Sequence, residues 1–261
     1  MWQIHSPMPE RDPMSNTKLL KHRNGDTMGV RSGLKDVWNA FMCEGATFSA
    51  SDIPFCPTTG MEVPHDIVTW EEAKSIYKKA VGRDDCDFFY DAYVCWYLDD
   101  VKFDGPRGIW HDCRHTIKVL RHFAGAITPD FSTNQDFPEP LKVYNTYRMR
   151  AFGFWLGQEG IAVINNVRWG TEESYRYCFD GLPENSILAI GTVGGSPRKL
   201  KDRYRFEHGL EEMVNRLHPH TIIIYGSANY PCFDTLVEKG VVVISYPSQT
   251  AQAFERGKRH E

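Results

Sequence analysis

From Cys95 to Ser248, short apolar runs alternate with longer amphipathic stretches, and nearly every run ends in polar residues. The runs are Tyr93-Val94-Cys95-Trp96-Tyr97-Leu98, Ala126-Ile127-Thr128, Ile161-Ala162-Val163-Ile164, Ile187-Leu188-Ala189-Ile190, Thr221 to Tyr225 and Val241 to Ser245. Runs this short and continuous suit strands buried on both faces, as in a parallel sheet covered by helices. Parallel neighbours need a crossover between them, and helical signals fill the gaps. Trp110, Cys113, Ile117 and Leu120 make one stripe in a helix expected over 109–123. Phe206, Leu210, Met213 and Leu217 do the same over 202–217. Helices are also expected over 140–158, closed by Gly160, over 171–179, and over 233–238, stopped by Gly240.

The expected fold is therefore α/β with about six strand–helix units. Two architectures fit: a barrel-like wheel of the incomplete TIM type, and an open doubly wound sheet. Both place ligands at the carboxyl ends of the strands. An open sheet concentrates its polar residues at one crevice, whereas here almost every strand end carries some. The barrel-like form is preferred.

The remaining chain divides into an irregular N-terminal region, 1–90, before the α/β domain at 91–250, and a polar C-terminal tail at 251–261. Pro54, Pro57, Gly60 and Pro64 exclude a long helix over 45–64. Thr69 and Glu72 have the spacing of a capping box and open a helix reaching about Val81. A net charge of -4 and a pI near 6.2 argue against a basic nucleic-acid coat. There is no 18-residue apolar run, so no membrane span is expected, and the N-terminus does not read as a secretory signal. Seven cysteines without a CxxC pair read as free thiols of a cytoplasmic protein.

Candidate chemistry sits at the strand ends. Asp130, stiffened by Pro129 and followed by Ser132, is the preferred acid/base or nucleophile; the plain alternative is a turn cap. Arg168 either forks onto a substrate carboxylate or phosphate, or pairs internally with Asp130 or Asp99. Asp99 and Asp100 together either bind a metal or sugar hydroxyls, with Asp99 nominated for substrate, or are a plain acidic pair before a turn. Asn166, Thr192 and Ser227 complete the expected substrate contacts. Gly191 to Ser196 precedes a helix but matches no phosphate-loop fingerprint, and the basic stretch Arg198–Arg205 reads as a solvated helix start. His111 and His115 have the spacing of one helix face, but Asp112 breaks the HExxH pattern. No metal or cofactor is assigned. Tyr144, Asn145, Tyr147, Arg148 and Arg150 spread widely round helix 140–158, so either some of them face inwards or into a site, with Asn145 and Arg148 nominated for substrate, or the first two turns are largely exposed.

Four segments carry a resemblance: Thr128-Pro129-Asp130-Phe131-Ser132, Tyr144 to Ala151, Asn166-Val167-Arg168-Trp169-Gly170 and Phe179-Asp180-Gly181-Leu182-Pro183. By these the chain resembles the phage- and bacterium-associated family called domain of unknown function 4417, over roughly 96–248. The resemblance implies a mobile-element or phage origin and a cytoplasmic setting, and it supplies no catalytic residues. Two function classes follow from the residues. One is an enzyme acting on a nucleotide, nucleobase or nucleic-acid sugar at the strand-end face. The other is a non-catalytic phage accessory protein binding a host protein or nucleic acid.

Overall fold

The computed structural model describes residues 36, 38–193, 197 and 200–258. Seven strands form one parallel sheet: β1 Ile67–Thr69, β2 Tyr90–Cys95, β3 Phe123–Ile127, β4 Val163–Asn166, β5 Ile187–Gly191, β6 Thr221–Tyr225 and β7 Val242–Tyr246. Six helices accompany them: α1 Trp70–Val81, α2 Cys113–Leu120, α3 Glu139–Gln158, α4 Leu200–Leu217, α5 Pro231–Glu238 and α6 Gln249–Lys258. The strand order is the chain order, β1 to β7, so each crossover advances the sheet by one place. Right-handed crossovers of this kind keep the helices on one face, and the twist accumulated between strands curls the sheet into a half-barrel.

Side chains alternate across the sheet with the period of two that a strand imposes. Val94 and Trp96 join the helix-facing core, whereas Tyr93, Cys95 and Tyr97 line the concave face with Ile127, Ile164, Ala189, Ile223 and Tyr225. Tyrosines fill this concavity because two strands carry glycine opposite them. A Cβ on Gly125 would lie 2.5 Å from the Tyr93 ring, and one on Gly191 would lie 2.7 Å from the Tyr97 ring. Tyr97 also stacks on Tyr225 with centroids 5.2 Å apart.

The sheet has seven strands where six were expected. The added strand, β1, lies in the stretch expected to be irregular; it is only three residues long and pairs with β2 at Ile67↔Tyr93 and Thr69↔Cys95. Strand and helix alternation thus reaches back to Ile67. The capping box at Thr69 and Glu72 is present and starts α1. Further expectations change. β2 begins at Tyr90 and ends at Cys95, so Trp96 to Leu98 lie beyond it; the helix after it spans only Cys113–Leu120, and Phe123 opens β3. His111 precedes that helix, so it does not share a helical face with His115. The helix Gln249–Lys258 runs from the end of the α/β domain into the stretch 251–261 expected as a polar tail.

The proline-rich segment ahead of β1 has a definite place. β4 and β5 pair only at Asn165↔Leu188 and Asn166↔Ala189. Beside that short ladder, the Thr59 and Gly60 N–H groups both donate to the Val163 carbonyl, at 2.9 and 2.8 Å. The Asn165 amide donates to the Cys56 carbonyl at 2.9 Å. The unpaired edges β1 and β7 are also linked across the opening. The Tyr246 hydroxyl donates to the Pro64 carbonyl, and the Gln249 amide donates to Thr69 Oγ1 at 2.7 Å.

Candidate functional site

A cleft of about 900 Å³ opens at the carboxyl ends of the strands. Its walls come from Asp99 to Lys102 after β2, Asp130 and Ser132 to Gln135 after β3, and Val167 to Thr171 after β4; Asp202 and Arg205 of α4 and Ser248 to Thr250 after β7 complete them. Among the expected site residues it gathers Asp99, Asp130, Ser132 and Arg168.

The segment after β3 alternates. Asp130 and Ser132 are partly exposed, while Phe131 and Thr133 are buried. Phe131 drops into the core against Phe103 and Trp110, which leaves its two polar neighbours towards the cleft. Both oxygens of Asp130 are held. Asn166 Nδ2 donates to Oδ1 at 2.9 Å and Arg168 Nη1 donates to Oδ2 at 2.6 Å. Arg168 also reaches Asn134 Oδ1 at 3.3 Å. Beneath them the Tyr97 hydroxyl donates to Asn166 Oδ1 at 3.0 Å, so one polar chain runs from the barrel interior to the open cleft. Burial pushes the Tyr97 hydroxyl well above its ordinary range, which keeps it a neutral donor.

The internal ion-pair alternative for Arg168 is therefore realised with Asp130. The pair is not sealed in a core. The side chains keep 29% and 15% of their exposure at the cleft surface, which leaves the carboxylate within reach of a ligand.

Asp100 stands on the neighbouring wall. Ser132 donates to it twice, from its backbone N–H at 3.2 Å and its hydroxyl at 2.9 Å. Burial raises the Asp100 carboxyl above its ordinary value, and these hydrogen bonds oppose the rise. Asp99 is exposed beside it.

Five residues expected to touch substrate do not line the cleft, because their polar groups serve internal partners. Asn166 is fully buried under Asp130. Asn145 Nδ2 donates to the Ser132 carbonyl at 2.5 Å. Arg148 forks onto both oxygens of Asp104 at 2.9 and 2.8 Å, also reaches Asn145 Oδ1, and lays its guanidinium 3.9 Å from the Phe131 ring centre. From α3, Asn145 and Arg148 thus clamp the loops that follow β2 and β3. Thr192 is buried and donates to the Ser227 carbonyl at 2.9 Å, while Ser227 uses its own hydroxyl on the Asn229 N–H. Of the glycine-bearing segment, 194–196 lie outside the described residues, as do 198 and 199 of the basic stretch.

Arg150 is fully buried and donates to the carbonyls of Asp180, Asn166 and Cys178 at 3.0 to 3.1 Å. Burial without a bonded carboxylate lowers it to about 10. All seven cysteines are free thiols; burial raises Cys56 and Cys178 to about 12, which makes them poor nucleophiles.

The cleft also contains Asp100, the second residue of the acidic pair at the strand end, and residues that the strand-end argument does not select. Tyr97 lies within the apolar run itself. Thr133, Asn134, Gln135, Arg205 and Gln249 sit on loops or a helix, where no spacing rule singles them out.

The model of the family described as domain of unknown function (DUF4417) matches residues 47–247. The chain belongs to that family. The match takes in β1 and the wedge around Cys56 to Gly60, which the motif resemblance from about residue 96 left out. The Gene 1 protein of Mycobacterium phage D29 is 31% identical over 209 residues, covering 80% of this chain and 72% of the relative. The Gene 1 protein of Mycobacterium phage L5 is 32% identical over 135 residues, covering 52% of this chain and 57% of that relative. No solved structure matches the chain. Among the described residues, no helix is long and apolar enough to cross a membrane.

Proposed function

We propose that the cleft is a catalytic site acting on a nucleotide, nucleobase or nucleic-acid sugar in a cytoplasmic setting, with Asp130 as the acid/base group. The observation that carries this reading is the Asp130–Arg168 pair on the cleft surface: a carboxylate fixed at both oxygens yet still partly open. A carboxylate oriented in this way needs little rearrangement to exchange a proton with a bound substrate. Arg168 then acts by orienting Asp130 and balancing its charge. The role of meeting an anionic substrate group passes to Arg205, whose guanidinium on the cleft wall donates to the neutral Gln135 amide oxygen at 2.6 Å and has no carboxylate partner among the described residues. No cofactor enters the proposal.

Thermal-shift titration with nucleosides, nucleotides, free bases and pentoses tests it. Wild-type protein is expected to be stabilised by at least one class. Asp130→Ala and Arg168→Ala are expected to keep the fold and lose that response or the turnover. Loss of the fold in both variants would make the pair structural and sink the reading.

The second reading is a non-catalytic accessory protein that binds a host protein or nucleic acid. It draws on apolar side chains left in solvent, Val101 at the cleft rim and Leu200 and Tyr204 on α4, which are 88%, 82% and 67% exposed. Pull-down from host lysate with Val101→Asp and Tyr204→Ala controls separates it from the first.

A further inference from the structure

We propose that the outer edge of β7 is a dimer interface, on which β7 of a second copy pairs antiparallel about Ile244. The proposal stands on the sheet edge and is independent of the chemistry in the cleft.

A sheet in chain order has two edge strands, here β1 and β7, and their backbones differ. The Tyr93 N–H donates to the Asp66 carbonyl, so Asp66 and Val68 turn their backbone groups to β2, while Ile67 and Thr69 turn theirs outwards. Both outward donors are already taken by side chains. The Ile67 N–H donates to Asp66 Oδ1 at 2.8 Å, and the Thr69 N–H donates to Glu72 Oε2 at 2.9 Å. Three residues long and rimmed by carboxylates, β1 is closed to a further strand.

β7 is open. The Val242 N–H donates to the His220 carbonyl, and the Tyr246 carbonyl accepts from the Gly226 N–H, so residues 242, 244 and 246 face β6. Val243 and Ser245 therefore turn their N–H and C=O groups away from the sheet. Among the described residues nothing bonds these groups. Ser245 is exposed, and so is Val242, at 50%. The contacts that cross the opening to Pro64 and Thr69 come from the side chains of Tyr246 and Gln249, which leaves the backbone edge unused.

A row of outward N–H and C=O groups fits another strand, and the register of this one suits its own copy. Centred on Ile244, an antiparallel pair sets Val243 of each copy opposite Ser245 of the other, and the two pairs exchange four backbone hydrogen bonds. Ile244 then meets its own copy as a non-hydrogen-bonded pair, with Cα atoms about 4.5 Å apart. No charged residue occurs from Gly240 to Phe254, so the approach sets no like charges against each other. Val242 comes opposite Tyr246 of the other copy, which covers its exposed side chain. Because the paired strands run in opposite directions, the two clefts open towards opposite ends of the dimer.

The test is sedimentation velocity of the full chain over rising concentration, with amide exchange followed by NMR. Wild-type protein is expected to dimerise in the micromolar range, since one short ladder buries less than a standard interface. The amides of Val243 and Ser245 should gain protection as the dimer forms, whereas those of Val242, Ile244 and Tyr246 are protected throughout. Ser245→Pro removes an outward N–H at an edge position where proline is tolerated, and should weaken dimerisation by about 10-fold or more. Ser245→Lys, which leaves the backbone intact, should act in the same direction. Circular dichroism confirms that both variants are folded. In a Cys86→Ser background, which removes the exposed native thiol, Ile244→Cys is expected to form an intermolecular disulfide. Ser245→Cys, whose copies lie two positions apart along the ladder, is not. A wild type that stays monomeric to about 1 mM would overturn the proposal. So would a dimer that neither Ser245 variant weakens, or a disulfide formed by Ser245→Cys in place of Ile244→Cys.

Discussion

Arg168 donates to Asp130 across 2.6 Å from one strand end to the next, and the sheet register makes that contact possible. Ile127 lies beside Ile164 in the β3–β4 ladder, so three residues further along Asp130 comes level with Val167. Asn166 and Arg168 flank Val167, and each takes one oxygen of the carboxylate. A slip of one residue would part all three.

The pair should be coupled energetically. Both side chains are less than a third exposed, so Arg168→Ala strands a partly desolvated carboxylate and is expected to cost about 1–3 kcal/mol. Asp130→Asn combined with Arg168→Ala should cost less than the two changes added together. Urea denaturation of the four proteins measures the coupling, and strict additivity would show the contact to be energetically idle.

The clamp on α3 should hold the cleft walls. Arg148→Lys keeps the charge but loses the fork onto Asp104 and the flat contact with Phe131, at an expected cost of about 2–4 kcal/mol. Amide exchange should quicken in residues 99–104 and 130–133 before it does in the central strands. Uniform quickening would mean that Arg148 supports the whole domain rather than these loops.

Asp100 predicts a pH trend whose sign follows from its raised carboxyl. A carboxyl raised by folding contributes most below the unfolded value, about 4, and loses that contribution as pH rises through the folded value. Asp100→Asn removes the ionisable group. Relative to wild type, the variant should therefore gain stability as pH increases from about 4 towards neutrality. Thermal melts across that range check it; a flat difference would mean that Asp100 titrates alike in the folded and unfolded chains.

Glycines with different surroundings should respond in opposite directions. Gly191→Ala places a Cβ 2.7 Å from the Tyr97 ring and is expected to cost about 1–3 kcal/mol. Gly157→Ala, in α3 with Thr59 Cγ2 at 3.7 Å as its nearest neighbour, should stabilise by up to about 1 kcal/mol. Chemical denaturation of the two variants tests the contrast.

By itself the sequence determined the layered α/β class. Continuous apolar runs demand burial on both faces, and the helical stripes between them supply the crossovers. The Thr69 and Glu72 cap was equally plain, because capping is local. So was the prominence of Asp130 and Arg168, two charged residues that closely follow buried runs. The tertiary structure alone decided the rest. The three residues of β1 carry too little pattern to stand out, and only the ladder with β2 makes them a strand. Asn145, Arg148 and Asn166 have the chemistry of ligand contacts, yet curling the sheet against α3 spends their hydrogen bonds on Ser132, Asp104 and Asp130. Asp100 gained its place from a serine 32 residues away. Whether a polar side chain meets solvent, ligand or a neighbouring loop depends on register and curvature, and both arise from contacts between distant segments.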